Sequence, residues 1–122
     1  MATLLVIEDE APLRANIARI LSAEGYEVIT AVDGNEGMQR VREKRPDLVI
    51  CDILMPRLDG FGVLATLRSR PETAAIPFIF LTASADKADL ARGLKSGANE
   101  YVTKPFKITE LLTAIRRHLP AG

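Results

Sequence analysis

Leu48-Val-Ile-Cys-Asp52, followed at once by Ile53-Leu-Met-Pro56, decides how the rest of the chain is read. Four apolar residues run straight into a carboxylate. A continuous apolar run with β-branched members is the mark of a strand buried on both faces. Pro56 lacks an N–H and disfavours a helical residue before it, so no helix starts directly behind the aspartate. Asp52 therefore stands at the carboxyl end of a buried strand. In open α/β sheets that edge is where ligands bind.

Outward toward the N-terminus, Pro46 closes a helix in which Gly37, Met38 and Val41 share one face. Asp33 and Glu36 have the spacing of an N-terminal cap for it. Tyr26 to Ala31 reads as a strand. Gly25 stops an earlier helix marked by Leu13, Ile17, Ile20 and Leu21, with Pro12 in its first turn. The chain begins with a second apolar run into acid, Leu4-Leu-Val-Ile7 before Glu8-Asp9-Glu10. Outward toward the C-terminus, Asp59-Gly60 is a turn signal, and Phe61, Leu64 and Leu67 give a helix broken near Pro71. Ile76 to Leu81 is a buried strand ending at Thr82-Ala83-Ser84. Asp86 is placed to cap a fourth helix, with Ala91 and Leu94 inward and Gly97 closing it. Tyr101-Val102 is the core of a short fifth strand, followed by Thr103-Lys104-Pro105, and Ile108, Leu111, Leu112, Ile115 and Leu119 form an amphipathic stripe. Five strands alternating with five helices over short connections imply an α/β fold, a single doubly wound parallel sheet with right-handed crossovers.

The 122 residues are expected to be one domain, large enough for a proper core, and 48% hydrophobic residues argue against disorder. Sixteen basic residues balance sixteen acidic ones, so bulk charge offers no purchase for nucleic acid or an anionic membrane. The lone cysteine, Cys51, excludes an internal disulfide framework and reads as a small core hydrophobe. No apolar run approaches a membrane span, and the first is too short for a signal peptide; a reducing, cytoplasmic setting is expected.

The polar residues at the carboxyl ends of these strands are Glu8 and Asp9, Asp52, Thr82 and Lys104. Adjacent strands lie about 4.8 Å apart. Carboxylates so close repel one another unless a cation joins them, and an all-oxygen cluster suits Mg²⁺. With a hydroxyl and an ammonium, the set is suited to handling phosphate. Acids also follow strands as helix caps, which is how Glu8 or Asp33 alone would be read. Asp52, with a proline-containing loop behind it, caps nothing obvious.

Here the sequence resembles the receiver domains of two-component response regulators. The likeness is carried over essentially the whole chain by Val6-Ile-Glu-Asp-Glu10, Asp52-Ile-Leu-Met-Pro56, Asp59-Gly60, Leu81-Thr-Ala83 and Gly97-Ala-Asn-Glu-Tyr-Val-Thr-Lys-Pro-Phe106. The resemblance implies a receiver domain over residues 1–122 and the flavodoxin-like strand order 2-1-3-4-5. It makes Asp52 the phosphoacceptor, a nucleophile toward a donor phosphohistidine or a small phosphodonor. It gives Mg²⁺ to Asp9, Asp52 and the Leu54 backbone carbonyl, with Glu8 acting through water. Lys104 would neutralise phosphoryl oxygens, Thr82 would hydrogen-bond to the phosphoryl group, and Tyr101 would be the aromatic switch. The Lys104–Pro105 bond would be cis. The partner implied is a sensor histidine kinase or histidine phosphotransfer protein.

Phosphorylation would convert one charge to about two, and the hydrogen bond from Thr82, worth about 1.5–3 kcal/mol, would shift a two-state equilibrium read on the face of the fourth helix, fifth strand and fifth helix. Hydrolases that pass through aspartyl-phosphate commonly carry a second Asp two residues after the nucleophile. Leu54 stands there, so the domain is expected to catalyse only its own phosphorylation and slow dephosphorylation, not to turn over as an enzyme. A metal-dependent phosphohydrolase or nucleotide binder is the competing class. The glycine spacing of Gly60-Phe-Gly-Val-Leu-Ala65 is misplaced for a dinucleotide site, because it does not follow the first strand. His118, beside Arg116 and Arg117, is read as complementing a helix dipole. Asn99 and Lys107 depart from the family where an acid and a capping serine are frequent, which favours a monomer, with phosphorylation-dependent dimerisation left open. The chain ends at Pro120-Ala-Gly122, so no output domain is expected in it; a stand-alone receiver and a piece of a longer regulator or hybrid kinase fit equally, and the downstream partner is unassigned.

Overall fold

The computed structural model describes residues 1–83 and 87–119. Ten elements alternate: β1 (Thr3–Ile7), α1 (Ala11–Ala23), β2 (Glu27–Ala31), α2 (Gly34–Glu43), β3 (Leu48–Asp52), α3 (Gly60–Arg68), β4 (Phe78–Thr82), α4 (Lys87–Lys95), β5 (Glu100–Thr103) and α5 (Ile108–His118). All strand pairs are parallel, and the sheet order is β2-β1-β3-β4-β5, as the resemblance implied.

Alternation along each strand divides the core in two. Leu5, Ile7, Val49, Cys51, Phe78 and Phe80 point to the side packed by Met38 and Val41 of α2 and Val63, Leu64 and Leu67 of α3. Leu4, Val6, Leu48, Ile50, Ile79 and Leu81 point to the side packed by Ile17 and Leu21 of α1 and by Leu111, Leu112 and Ile115 of α5. β1, β3 and β4 are buried along their whole length, which is why their sequences read as unbroken apolar runs. Cys51 is fully buried, as a core hydrophobe should be.

The caps follow the sequence closely. Asp33 accepts a hydrogen bond from the Glu36 N–H at 2.8 Å, while Glu36 Oε1 accepts from the Val32 N–H at 3.0 Å. Gly25 and Gly97, with φ of 95° and 108°, end α1 and α4 in the left-handed region that favours glycine. Asp59, expected in a turn, is the N-cap of α3 and accepts from the Gly62 N–H at 2.9 Å.

Three expectations are corrected. β4 starts at Phe78 rather than Ile76, because Pro77 has no N–H for the ladder; only its carbonyl joins, accepting from the Val49 N–H at 2.9 Å. β2 starts at Glu27, after Tyr26, whose N–H is still bound to the Leu21 carbonyl at the end of α1. Ala91 and Leu94 do not face inward: both are exposed, Leu94 by 47%. The inner face of α4 passes through Gly93, where an added Cβ would meet the Phe80 ring at 2.7 Å. So close an approach to an aromatic ring leaves no room for a leucine, and the helix turns its larger residues away. Ser84 and Asp86, the expected strand end and α4 cap, lie outside the described residues.

Candidate functional site

The sheet topology brings the sequence-selected residues to one edge. Ile7 is in register with Cys51, Asp52 with Leu81, and Thr82 with Thr103. Glu8, Asp52, Thr82 and Lys104 thus occupy adjacent strand ends, with Asp9 one residue further on. Glu8, Asp52 and Thr82 are buried, Asp9 is exposed, and Tyr101 is half-buried against the core.

Lys104 is the hub. Its Nζ donates to Glu8 Oε1 and to Asp52 Oδ2, each at 2.9 Å, across 96 and 52 residues of sequence. Its backbone N–H donates to the Thr82 carbonyl at 2.7 Å, and the Lys104–Pro105 bond is cis. The other Asp52 oxygen, Oδ1, accepts from the Leu54 N–H at 3.2 Å. Glu8 Oε2 accepts from the Glu10 N–H at 3.1 Å. Arg14, which the sequence did not single out, donates to the Glu8 carbonyl at 2.8 Å and anchors the start of α1 to the site.

The electrostatics are unbalanced. Burial pushes the Glu8 carboxyl up to about 7, against the hydrogen bond from Lys104 that pulls it down, and the nearby Asp52 charge adds to the rise. Burial also works against the Lys104 ammonium, but its hydrogen bonds to Glu8 and Asp52 prevail and hold it above the usual lysine range. Two of the cluster's carboxylates, Glu8 and Asp52, thus share the Lys104 ammonium. Glu8, Asp9 and Asp52 bring carboxylate oxygens within 4.8 Å of one another, and the exposed Asp9 opens the cluster to solvent. An all-oxygen donor set in which carboxylates outnumber the ammonium paired with them fits a hard divalent ion such as Mg²⁺; a soft metal would want sulfur or imidazole ligands, which the cluster does not offer.

Behind the cluster runs the loop of residues 53–59. Gly60 opens α3 pressed against it, and an added Cβ would lie 2.4 Å from the Asp52 carbonyl oxygen. That close approach, not a nucleotide fingerprint or a turn, accounts for the glycine. Arg57 Nη1 donates to Asp33 Oδ2 at 2.8 Å, a tie with no signature in local sequence pattern. At the far end of β5, His118 Nε2 lies 3.5 Å from Glu100 Oε2, so it faces a carboxylate as well as ending α5.

The sequence profile of the response regulator receiver domain matches residues 4–116. The chain is 41% identical over 114 residues to the phosphate regulon transcriptional regulatory protein PhoB of Rhizobium meliloti, covering 93% of this chain and 50% of that one. It is 38% identical over 116 residues to the DNA-binding response regulator MtrA of Mycobacterium leprae, covering 95% and 50%. The chain therefore spans about half the length of these curated relatives. Among solved structures, the chemotaxis protein CheY4 of Vibrio cholerae superposes with a TM-score of 0.93 at 31% identity, covering 98% of this chain and 99% of that one. The receiver domain of a signal transduction histidine kinase from Syntrophus aciditrophicus superposes with a TM-score of 0.90 at 34% identity, covering 98% and 90%.

Proposed function

The chain belongs to the response regulator receiver family, whose members serve phosphorylation-dependent signalling with histidine kinase partners, and on that premise we propose that Asp52 accepts a phosphoryl group at a Mg²⁺ site made by Asp9, Asp52 and the Leu54 carbonyl. The observation that supports this best is the shared ammonium: Lys104 sits 2.9 Å from both Glu8 and Asp52 and cannot neutralise three carboxylates.

The Asp52 carboxylate attacks phosphorus of a donor phosphohistidine or small acyl phosphate. An O–P bond forms as the bond to the leaving group breaks, and the leaving group keeps the electron pair. Lys104 pairs with the phosphoryl oxygens, and Glu8 holds Lys104 in place; Glu8 would contribute to holding the ion through water. When bound, Mg²⁺ supplies the positive charge that lets two anions approach. The phosphorylated side chain carries about two negative charges, toward which the Thr82 hydroxyl donates. Tyr101, half-buried at the edge of the core, follows as the aromatic switch, and the α4–β5–α5 face changes for a partner to read. Leu54, 66% exposed, offers no second carboxylate for hydrolysis, so the acyl phosphate persists as a signal. Among the described residues no helix is long and apolar enough to cross a membrane; we place the domain in the cytoplasm, as a monomer that phosphorylation could pair, acting on an output partner and not on nucleic acid.

Incubation with acetyl phosphate and MgCl₂ tests the reading. One acid-labile phosphoryl group per chain is expected by intact-mass spectrometry, none with Asp52→Asn, and none when EDTA is present. Sustained release of inorganic phosphate, or labelling that survives Asp52→Asn, would overturn it.

A further inference from the structure

The loop of residues 53–59 carries the Leu54 carbonyl and lies between the carboxylate cluster and the N-terminus of α2. On its inner side the Leu54 N–H reaches Asp52 Oδ1 at 3.2 Å, and the Gly60 N–H closes onto the Ile53 carbonyl at 3.0 Å. On its outer side Leu58 leans on Gly34, the first residue of α2, where an added Cβ would lie 2.3 Å from the Leu58 carbonyl oxygen. Between these contacts stands Arg57, with φ of 66° the non-glycine residue in the left-handed region among those described. That conformation is unfavourable for a long side chain. It is adopted here with the guanidinium paired to Asp33.

Asp33 is a firm anchor. It is 6% exposed, and its Oδ1 is already committed to the α2 cap through the Glu36 N–H. Arg57 takes the second oxygen, Oδ2. The Arg57 side chain is itself 69% exposed, so it adds little to the core and its removal should leave the fold standing. What the ion pair does is hold the loop against α2.

We infer that Arg57 is a positioning residue for the metal site: through its ion pair with Asp33 it fixes the loop that presents the Leu54 carbonyl beside Asp9 and Asp52. The inference rests on the Mg²⁺ reading above. Mg²⁺ demands near-octahedral geometry at about 2.0–2.1 Å, so a loop displaced by a few tenths of an ångström loses affinity. The coupling is reciprocal: ion binding at the cluster should tighten the Asp33 cap of α2.

Titration of the 122-residue chain with MgCl₂, followed by calorimetry and by amide NMR, tests this. Arg57→Gly removes the guanidinium while suiting the left-handed backbone, and should weaken Mg²⁺ binding by about three- to tenfold. Asp33→Asn keeps the cap but not the charge and should weaken it similarly, with the double variant no weaker than either single one. Arg57→Lys should recover part of the loss. In the wild type the Glu36 amide should shift on Mg²⁺ addition, and in Arg57→Gly it should not. Wild-type affinity in Arg57→Gly would overturn the inference, since Arg57 would then supply only a turn. Tighter binding, as mere loss of a nearby positive charge would produce, would overturn it too, as would additive losses in the double variant. No Mg²⁺ uptake by the wild type would instead sink the metal reading, and this inference with it.

Discussion

The two edges of the sheet use the same kinds of polar residue for opposite ends. At the amino edge, Asp47 precedes β3 and hooks the first residue of β1: the Thr3 N–H donates to Asp47 Oδ2 at 2.7 Å, and the Asp47 N–H donates to the Thr3 carbonyl at 2.8 Å. Asn99 precedes β5 and does the same to β4, accepting from the Phe78 N–H at 2.8 Å and donating to the Phe78 carbonyl at 2.8 Å. Each side chain finishes a ladder by accepting from a backbone N–H, and the Asn99 oxygen also accepts from Arg68 Nη2 at 3.3 Å. At the carboxyl edge, Glu8, Asp9 and Asp52 converge on one another, and Glu8 and Asp52 share a single ammonium. Polar groups satisfied by backbone stabilise the fold. Polar groups turned toward each other leave it with charge to dispose of, and that surplus is what a ligand can use.

The sharpest way to break this contrast is Lys104→Met. It leaves Glu8 and Asp52 buried with no ammonium, which should cost about 3 kcal/mol of stability, read as a lower urea midpoint at neutral pH. Millimolar MgCl₂ should restore part of the loss, because a second cation source relieves the same repulsion. If the midpoint does not move, the carboxyl-edge charges are not held together as described.

A smaller effect is expected at the amino edge. Asp47→Ala leaves the buried Thr3 N–H without its acceptor and should cost about 1–2 kcal/mol, with Mg²⁺ affinity and phosphoryl uptake unchanged. A change in either activity would show that the two edges are not independent.

The smallest effect concerns Asp33, which sits at the carboxyl edge yet behaves as an amino-edge residue. The Glu36 N–H holds its carboxyl below the usual carboxylate range, burial opposes this, and Arg57 adds to the lowering. A group whose folded value is lowered contributes stability that is present above its unfolded value and lost as pH falls through the folded one. Asp33→Asn should therefore flatten the acid limb of the stability profile below about pH 4 relative to the wild type. An unchanged limb, measured by thermal melts between about pH 2 and pH 7, would remove Asp33 from the set of titrating groups.

Much of this was legible in the chain. Asp52, Glu8 and Thr82 could be picked out because each directly follows an apolar run, with Asp9 and Lys104 one residue further on, and a run ending in polar residues marks a strand end without reference to any other segment. The caps at Asp33 and the stops at Gly25 and Gly97 were legible for the same reason. α4 was misread because its inner face is set by the Phe80 ring over Gly93, a contact between elements that no helical periodicity reports. Asn99 looked like a departure from the family pattern, and only the neighbouring Phe78 backbone reveals its use.

The alternation of apolar runs and helical stripes in the sequence determined the layered parallel architecture and put acid at the ends of two strands, since burial period is a property of each segment alone. Tertiary structure decided that Lys104 bridges Glu8 and Asp52, that Arg57 ties its loop to Asp33, and that α4 presents Leu94 to solvent. Those outcomes depend on which strands become neighbours and at what separation their side chains meet, and the interaction of two charges is governed by that distance and the surrounding burial, neither of which is written in any one stretch of residues.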